Sequence, residues 1–303
     1  MTTPLPTSTI GIVSHPCSES WEKNIALGEA GVVEAAEKGA KIICLQELFH
    51  WTYFCTIEDA ARCDLAEPAS GRTVERMRKL AQKLGIVLVV PFYERRAPGI
   101  YHNSAAVIEK DGSVLGIYRK MHIPDDPLYY EKYYFTPGDS SGPHGGYKVF
   151  KTSEATIGVL ICWDQWYPEG ARITALMGAE ILFFPTAIGW HPKERDTFGD
   201  AQVHAWQTAQ KAHAIANGVY VASPNRIGHE ATPGTDGLTF FGRSFIADPF
   251  GRVLTEDTEG NGGVLTAPFH RGLIEETRRN WPFLRDRRID AFSPILSRYI
   301  DAK

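Results

Sequence analysis

The chain has 303 residues, 43% of them hydrophobic and 22% charged, with a formal net charge of -4. This is the composition of an ordinary globular enzyme, and its charge is too mild to draw it to nucleic acid or to an anionic membrane. No apolar run reaches the roughly 20 residues that cross a bilayer, and Met1 to Ser8 lacks the layout of a signal peptide, so a cytoplasmic protein is expected.

In chain order, Thr9 to Val13 reads as a strand and about Trp21 to Lys38 as a helix that Gly39 ends. Lys41 to Gln46 is a second, buried strand with Glu47 at its carboxyl end. A helix from about Thr73 to Leu84 precedes a third strand, Ile86 to Val90. Asn103 to Ile108 and Val114 to Tyr118 form a hairpin around the turn dipeptide Asp111-Gly112. Thr156 to Ile161 is another buried strand, and Pro168-Glu169 is a good first helical turn. Further strands are expected at Ile181 to Phe184, Val219 to Ser223 and Ser244 to Asp248. A helix from about Ala201 to Ala216 stops at Asn217-Gly218. Strands alternating with helices predict parallel pairs and the hairpins add antiparallel edges, so an α/β fold with mixed sheets follows. No linker divides the chain. One domain over residues 1–303 is expected, with about 270–303 as a C-terminal extension. Its mix of arginines and bulky apolar residues (Trp281, Phe283, Arg285, Arg287, Arg288, Ile289) suits a subunit interface or a solvated tail.

The five cysteines (Cys17, Cys44, Cys55, Cys63, Cys162) are odd in number and irregularly spaced, which argues against a disulfide framework. No Cys-x-x-Cys or His-Glu-x-x-His pattern is present, so neither a metal nor a cofactor is expected. Cys162 stands where a strand turns into a helix, the placement a nucleophile needs, although a free thiol in such a turn can equally be packing. A thiol attacks as thiolate and needs a base. Glu47, Lys120 and Glu131 each lie close to a strand end or in an aromatic-rich loop, and ligands of α/β sheets gather at strand carboxyl ends. Taken singly, Glu47 and Lys120 are also compatible with solvated surface groups.

Taken together, the segments carry more. Glu47, Lys120 and Cys162 resemble the Glu-Lys-Cys triad of the nitrilase (carbon–nitrogen hydrolase) superfamily. The likeness runs from Thr9 to about Phe292 and is nearest to the members that hydrolyse N-carbamoylputrescine. It rests on Leu45-Gln46-Glu47-Leu48, on Tyr118-Arg119-Lys120-Met121-His122-Ile123-Pro124-Asp125, on Glu131-Lys132-Tyr133-Tyr134-Phe135, on Cys162-Trp163-Asp164-Gln165-Trp166-Tyr167-Pro168-Glu169 and on Pro185-Thr186-Ala187-Ile188-Gly189. The resemblance implies an α-β-β-α sandwich and a homo-oligomer, a dimer or larger. It further implies Glu47 as general base, Cys162 as nucleophile, Lys120 and the Trp163 N–H as oxyanion donors, and Glu131 as the carboxylate that orients the substrate and keeps Lys120 charged.

The substrate expected is a small cationic carbamoyl-amine. Family members that act on carbamoyl amino acids carry arginines a few residues past the cysteine, where Gln165 and Trp166 stand here and the first arginine is Arg172. Nitrile-hydrolysing members carry Glu where this chain has Asp164. Asp125 is the first candidate for the distal ammonium, ahead of Glu194 and Asp196. Tyr53, Tyr130, Trp163 and Trp166, with Thr186 and Ala187, are expected to line the pocket. Trp190-His191 departs from the Ser-Glu of plant-type members. The alternatives are an amidase for another carbamoyl compound or ω-amide, and a scaffold that acts through protein partners without turnover.

Overall fold

The computed structural model describes residues 7–142 and 144–301; the polar start Met1 to Pro6 and the last two residues of the C-terminal extension lie outside it. Its strands, in chain order, are β1 (Thr7–Ser14), β2 (Ile42–Leu45), β3 (Val87–Ala97), β4 (Ile100–Ile108), β5 (Val114–Arg119), β6 (Val149–Lys151), β7 (Thr156–Val159), β8 (Ile181–Phe183), β9 (Gly189–Trp190), β10 (Tyr220–Ser223), β11 (Ile227–Glu230), β12 (Leu238–Phe241), β13 (Phe245–Ala247), β14 (Val253–Glu256) and β15 (Gly263–His270). The helices are α1 (Trp21–Glu37), α2 (Arg72–Leu84), α3 (Glu131–Tyr134), α4 (Pro168–Leu176), α5 (Arg195–Asn217) and α6 (Arg271–Asn280).

Two six-stranded sheets run in the orders β15-β1-β2-β3-β4-β5 and β14-β13-β10-β8-β7-β6, and β11-β12-β9 form a small third sheet. The centre of each large sheet is parallel (β1, β2, β3 and β7, β8, β10), and the edges are antiparallel. Strand alternation divides the side chains between two layers. Ile42, Cys44, Val87 and Val89 join Ile157, Val159, Ile181 and Phe183 in the core between the sheets. Their neighbours Ile43, Leu45, Leu88 and Val90 face Ile25 and Val32 of α1 and Val74 and Met77 of α2. The α-β-β-α sandwich is the result.

Local chemistry accounts for the helix ends. Ser20 caps α1 by accepting from the Lys23 N–H at 3.3 Å, and Gly218 ends α5 at φ 57°, a left-handed conformation that glycine adopts without strain. At Gly158 the reason for glycine is space, since a Cβ there would stand 2.2 Å from Cγ2 of Thr174 on α4. That close approach seats α4 behind the strand leading to Cys162.

The sequence reading differs from the structure in two informative places. β15 went unread because Pro268 interrupts its pattern, and the strand is tolerated because it lies on a sheet edge. Between β7 and α4 the chain makes a separate 3-10 turn, Cys162–Trp166, where a direct strand-to-helix turn was expected. No helix among the described residues is long and apolar enough to cross a membrane. Beyond α6 the chain holds large apolar side chains open to solvent, with Ile289 72% and Leu296 88% exposed.

Candidate active site

Four chain segments bring the triad and its companion together at the carboxyl ends of the parallel strands. Glu47 stands two residues past β2, Lys120 follows β5, Glu131 opens α3, and Cys162 begins the 3-10 turn after β7. Glu47, Lys120 and Glu131 are fully buried, and Cys162 is 4% exposed. The Lys120 Nζ donates to Glu47 Oε1 at 2.9 Å and to Glu131 Oε2 at 2.6 Å. One ammonium between two carboxylates gives Lys120 two charged acceptors but leaves the buried cluster with one negative charge in excess. Burial opposes the charge on Lys120, but Glu131 and Glu47 outweigh it and raise its pKa well above the usual lysine range. Burial raises the Glu131 carboxyl, to about 7, against the pull of Lys120.

Asn103, which the sequence reading passed over, donates to Glu47 Oε1 at 2.6 Å. Its signal was the polar run His102-Asn103-Ser104 at the start of the buried part of β4, which runs from His102 to Ile108. Glu47 Oε1 is thereby doubly occupied, while Oε2 is buried with no partner among the described residues. Burial, then the charge of Glu47, pushes the Cys162 thiol pKa well up, so the sulfur rests protonated.

The backbone at Cys162 has φ 43°, a left-handed conformation unusual for any residue but glycine. Asp164 holds it there. This buried carboxylate accepts from the Ile161 N–H at 2.9 Å and the Tyr118 hydroxyl at 2.7 Å on Oδ2, and from the His122 N–H at 2.9 Å on Oδ1. Gln165 is likewise turned into the core, where its Oε1 accepts from the Trp206 indole at 2.8 Å.

A cavity of about 700 Å³ opens over Cys162 and Glu131, a volume suited to a small molecule. Trp163, Trp166 and Ala187 line it, as the sequence suggested. Four other candidates lie elsewhere. Asp125 is exposed and outside the wall, whereas its neighbour Asp126, at the start of the turn bridged to Tyr129, lines it. Tyr53 is buried behind the cavity and donates its hydroxyl to Glu131 Oε1 at 2.7 Å. Tyr130 serves as the residue before α3, its N–H bonded to the Cys55 carbonyl at 2.9 Å, and Tyr129 takes the wall position. Thr186 spends its hydroxyl inside the core on the Phe184 carbonyl at 2.8 Å.

Of the second-choice acids, Glu194 lines the cavity and Asp196 does not. Arg172 points away, donating to the Ala216 carbonyl at 2.9 Å. Trp190 packs on Phe241 and bonds the Gly199 carbonyl at 3.1 Å, leaving His191 to face the cavity. The described residues contain no group of three or more His, Cys, Asp or Glu side chains placed to hold a metal ion.

Behind Glu47, two histidines are held neutral. Burial lowers the pKa of His50 from 6.5 to about 3, with the charge of Arg226 adding to it, and burial lowers that of His15 to about 4. An unfolded chain takes up protons at these histidines below pH 6.5 that the folded chain refuses. Stability therefore falls as pH drops from 6.5 toward 4, by up to about 1.4 kcal/mol per pH unit for each histidine. Urea midpoints measured across that range should fall steadily, and the slope should be shallower in His50→Gln. An unchanged slope in the variant would rule out this source.

Comparison with known proteins places these features. The carbon-nitrogen hydrolase family model matches residues 9–279. A protein of Arabidopsis thaliana named N-carbamoylputrescine amidase is 45% identical, covering 95% of this chain and 95% of its own. A citrullinase of Francisella tularensis is 40% identical over 96% and 98%. The crystal structure of a carbon-nitrogen hydrolase from Helicobacter pylori G27 superposes with a TM-score of 0.92 at 43% identity, covering 97% of this chain and all of that one. The chain is an amidohydrolase and belongs to the carbon-nitrogen hydrolase family.

Proposed function

We propose that this enzyme hydrolyses N-carbamoylputrescine to putrescine, carbon dioxide and ammonia, a step of polyamine formation from arginine. The observation that carries the chemistry is the buried Glu47–Lys120–Glu131 cluster beside Cys162, with Glu47 Oε2 left without a partner. The thiol rests protonated, so its proton must leave as the sulfur attacks, and Glu47 Oε2 is the atom free to take it. Sγ bonds to the carbamoyl carbon, and the carbonyl electrons move to oxygen. Lys120 and the Trp163 N–H stabilise that oxyanion. Glu47 returns the proton to the departing nitrogen, which leaves as the first amine product. Water then attacks the thiocarbamate with Glu47 again as base, Cys162 recovers its proton, and the released carbamic acid divides into carbon dioxide and the second amine.

The tail of the substrate selects this reading among the family's reactions. An aliphatic amine needs apolar walls and an anionic end. Trp163, Trp166 and Tyr129 supply the walls, and Asp126 and Glu194 lie in the outer part of the same cavity. Trp166 occupies one of the positions where carbamoyl-amino-acid hydrolases place arginine, and the cavity's lysine, Lys193, is exposed. We place the homo-oligomer interface on the apolar tail beyond α6.

A substrate panel tests the tail assignment. N-carbamoylputrescine, L-citrulline and N-carbamoyl-β-alanine share the carbamoyl group and differ in the charge at the far end. Ammonia release should show kcat/KM for N-carbamoylputrescine exceeding that for citrulline by about 100-fold, since citrulline's added carboxylate would enter the cavity without a buried cationic partner. Equal or faster turnover of citrulline would transfer the assignment to an amino-acid substrate.

A further inference from the structure

Arg226 is a fully buried arginine outside the reacting group, and its bonds are unusual in their destinations. It sits between β10 and β11, far along the chain from Glu47. Nη2 donates to the main-chain carbonyls of Glu47 at 3.1 Å and Leu48 at 2.8 Å. Nη1 donates to the Trp51 carbonyl at 3.0 Å and to Glu230 Oε1 at 2.7 Å. Glu230 uses its other oxygen to accept from the Tyr53 N–H at 2.6 Å. At the far end of its ring, Tyr53 bonds Glu131.

We propose that the Arg226–Glu230 pair is a positioning device that fixes both catalytic carboxylates from behind, Glu47 through its own carbonyl and Glu131 through Tyr53. Glu47 lies beyond the end of β2, where no neighbouring strand can take its carbonyl oxygen. Leu48 has φ 48°, a conformation that a non-glycine residue keeps only when its surroundings hold it. A planar guanidinium can bond several carbonyls at fixed angles and keep its charge, which a lysine ammonium cannot reproduce. A carboxylate beside it both balances that charge and extends the network to the segment bearing Tyr53. The benefit to the reaction is geometric. Glu47 Oε2 has to meet a thiol within hydrogen-bonding reach, and a displacement of about 1 Å at such a contact costs about 100-fold in rate.

The proposal rests on the roles given above to Glu47 and Glu131, and its test separates the two. Arg226→Lys and Glu230→Gln should each lower kcat between about 10- and 100-fold with KM changed less than about threefold. Both should also displace the pH profile of kcat/KM, because the carboxylates lose their set positions. Rates are referred to the folded fraction measured by circular dichroism, so partial unfolding does not count as lost activity. The double variant should cost no more than the worse single one, the mark of residues acting as a unit. Tyr53→Phe removes one hydroxyl, leaves the ion pair whole, and keeps the test open if the arginine variant gives no folded protein. It should lower kcat at least fivefold and displace the same pH profile. Wild-type kcat and pH profile in the folded fraction of Glu230→Gln and Tyr53→Phe would overturn the proposal, even with melting temperatures lowered. Activity surviving in Cys162→Ala would instead overturn the reading beneath it.

Discussion

Cys162→Ala should release no measurable ammonia from N-carbamoylputrescine, a loss of more than about 10⁴-fold, and should fold as the parent does. The two halves of that expectation have separate physical grounds. The reaction depends on the thiol, because Glu131, the other buried ionisable group of the cavity, is committed to Lys120 and Tyr53, and the remaining four cysteines do not line it. The fold, in contrast, asks little of the sulfur. The turn is held by the Asp164 carboxylate and by the Cys162 N–H, which donates to the Pro185 carbonyl at 3.0 Å; alanine keeps both. Its Cβ has the same conflict with φ 43° that cysteine already bears, so the change in stability should stay within about 1 kcal/mol. Circular dichroism and equilibrium dialysis of substrate against the variant check the fold and the retained pocket. Residual turnover above 1% of wild type in protein free of contaminating enzyme would remove Cys162 from the mechanism.

Lys120→Met should be equally inactive and, unlike the cysteine variant, markedly unstable. Methionine matches the length of the side chain and removes only the ammonium that Glu47 and Glu131 share. Two fully buried carboxylates would then face each other with their common counter-charge gone, an arrangement that typically costs about 3–5 kcal/mol. The chain can relieve it by keeping at least one carboxyl protonated. That response disables the base, since Glu47 has to be ionised to take the thiol proton, and the oxyanion loses a donor as well.

The pH dependence follows with a definite sign. In the variant the folded-state carboxyl pKa values lie above their unfolded values of about 4.3, so stability is lost as pH rises through the folded values. Urea unfolding should show a larger penalty at pH 8 than at pH 5. Adding Glu131→Gln to Lys120→Met removes one of the opposed charges and should recover part of the stability with none of the activity. A penalty independent of pH would mean that Lys120 acts by packing alone.

The same residues show how far the linear chain can be read. Glu47, Lys120, Glu131 and Cys162 were legible because each lies at a strand end or in a local motif, and strand ends follow from hydrophobic runs and turn residues. The helix stop at Gly218 was legible for a similar reason, since glycine takes its left-handed dihedrals without strain. Gln165 marks the limit. It stands in the stretch where carbamoyl-amino-acid hydrolases carry arginine, but it is a core residue bonded to Trp206, so of the two residues there only Trp166 faces the cavity.

The sequence by itself determined the class of chemistry and the order of the main elements, and it singled out four groups that the fold brings together. Those follow from residue type and short-range pattern, which are local. The tertiary structure alone decided which of two adjacent aspartates lines the cavity, that Tyr129 rather than Tyr130 lines the wall, and that Tyr53 bonds Glu131. It alone brought Asn103 and Arg226 to Glu47. Direction and long-range contact depend on how distant segments pack, and a residue's neighbours along the chain carry no record of which surface will be folded against it.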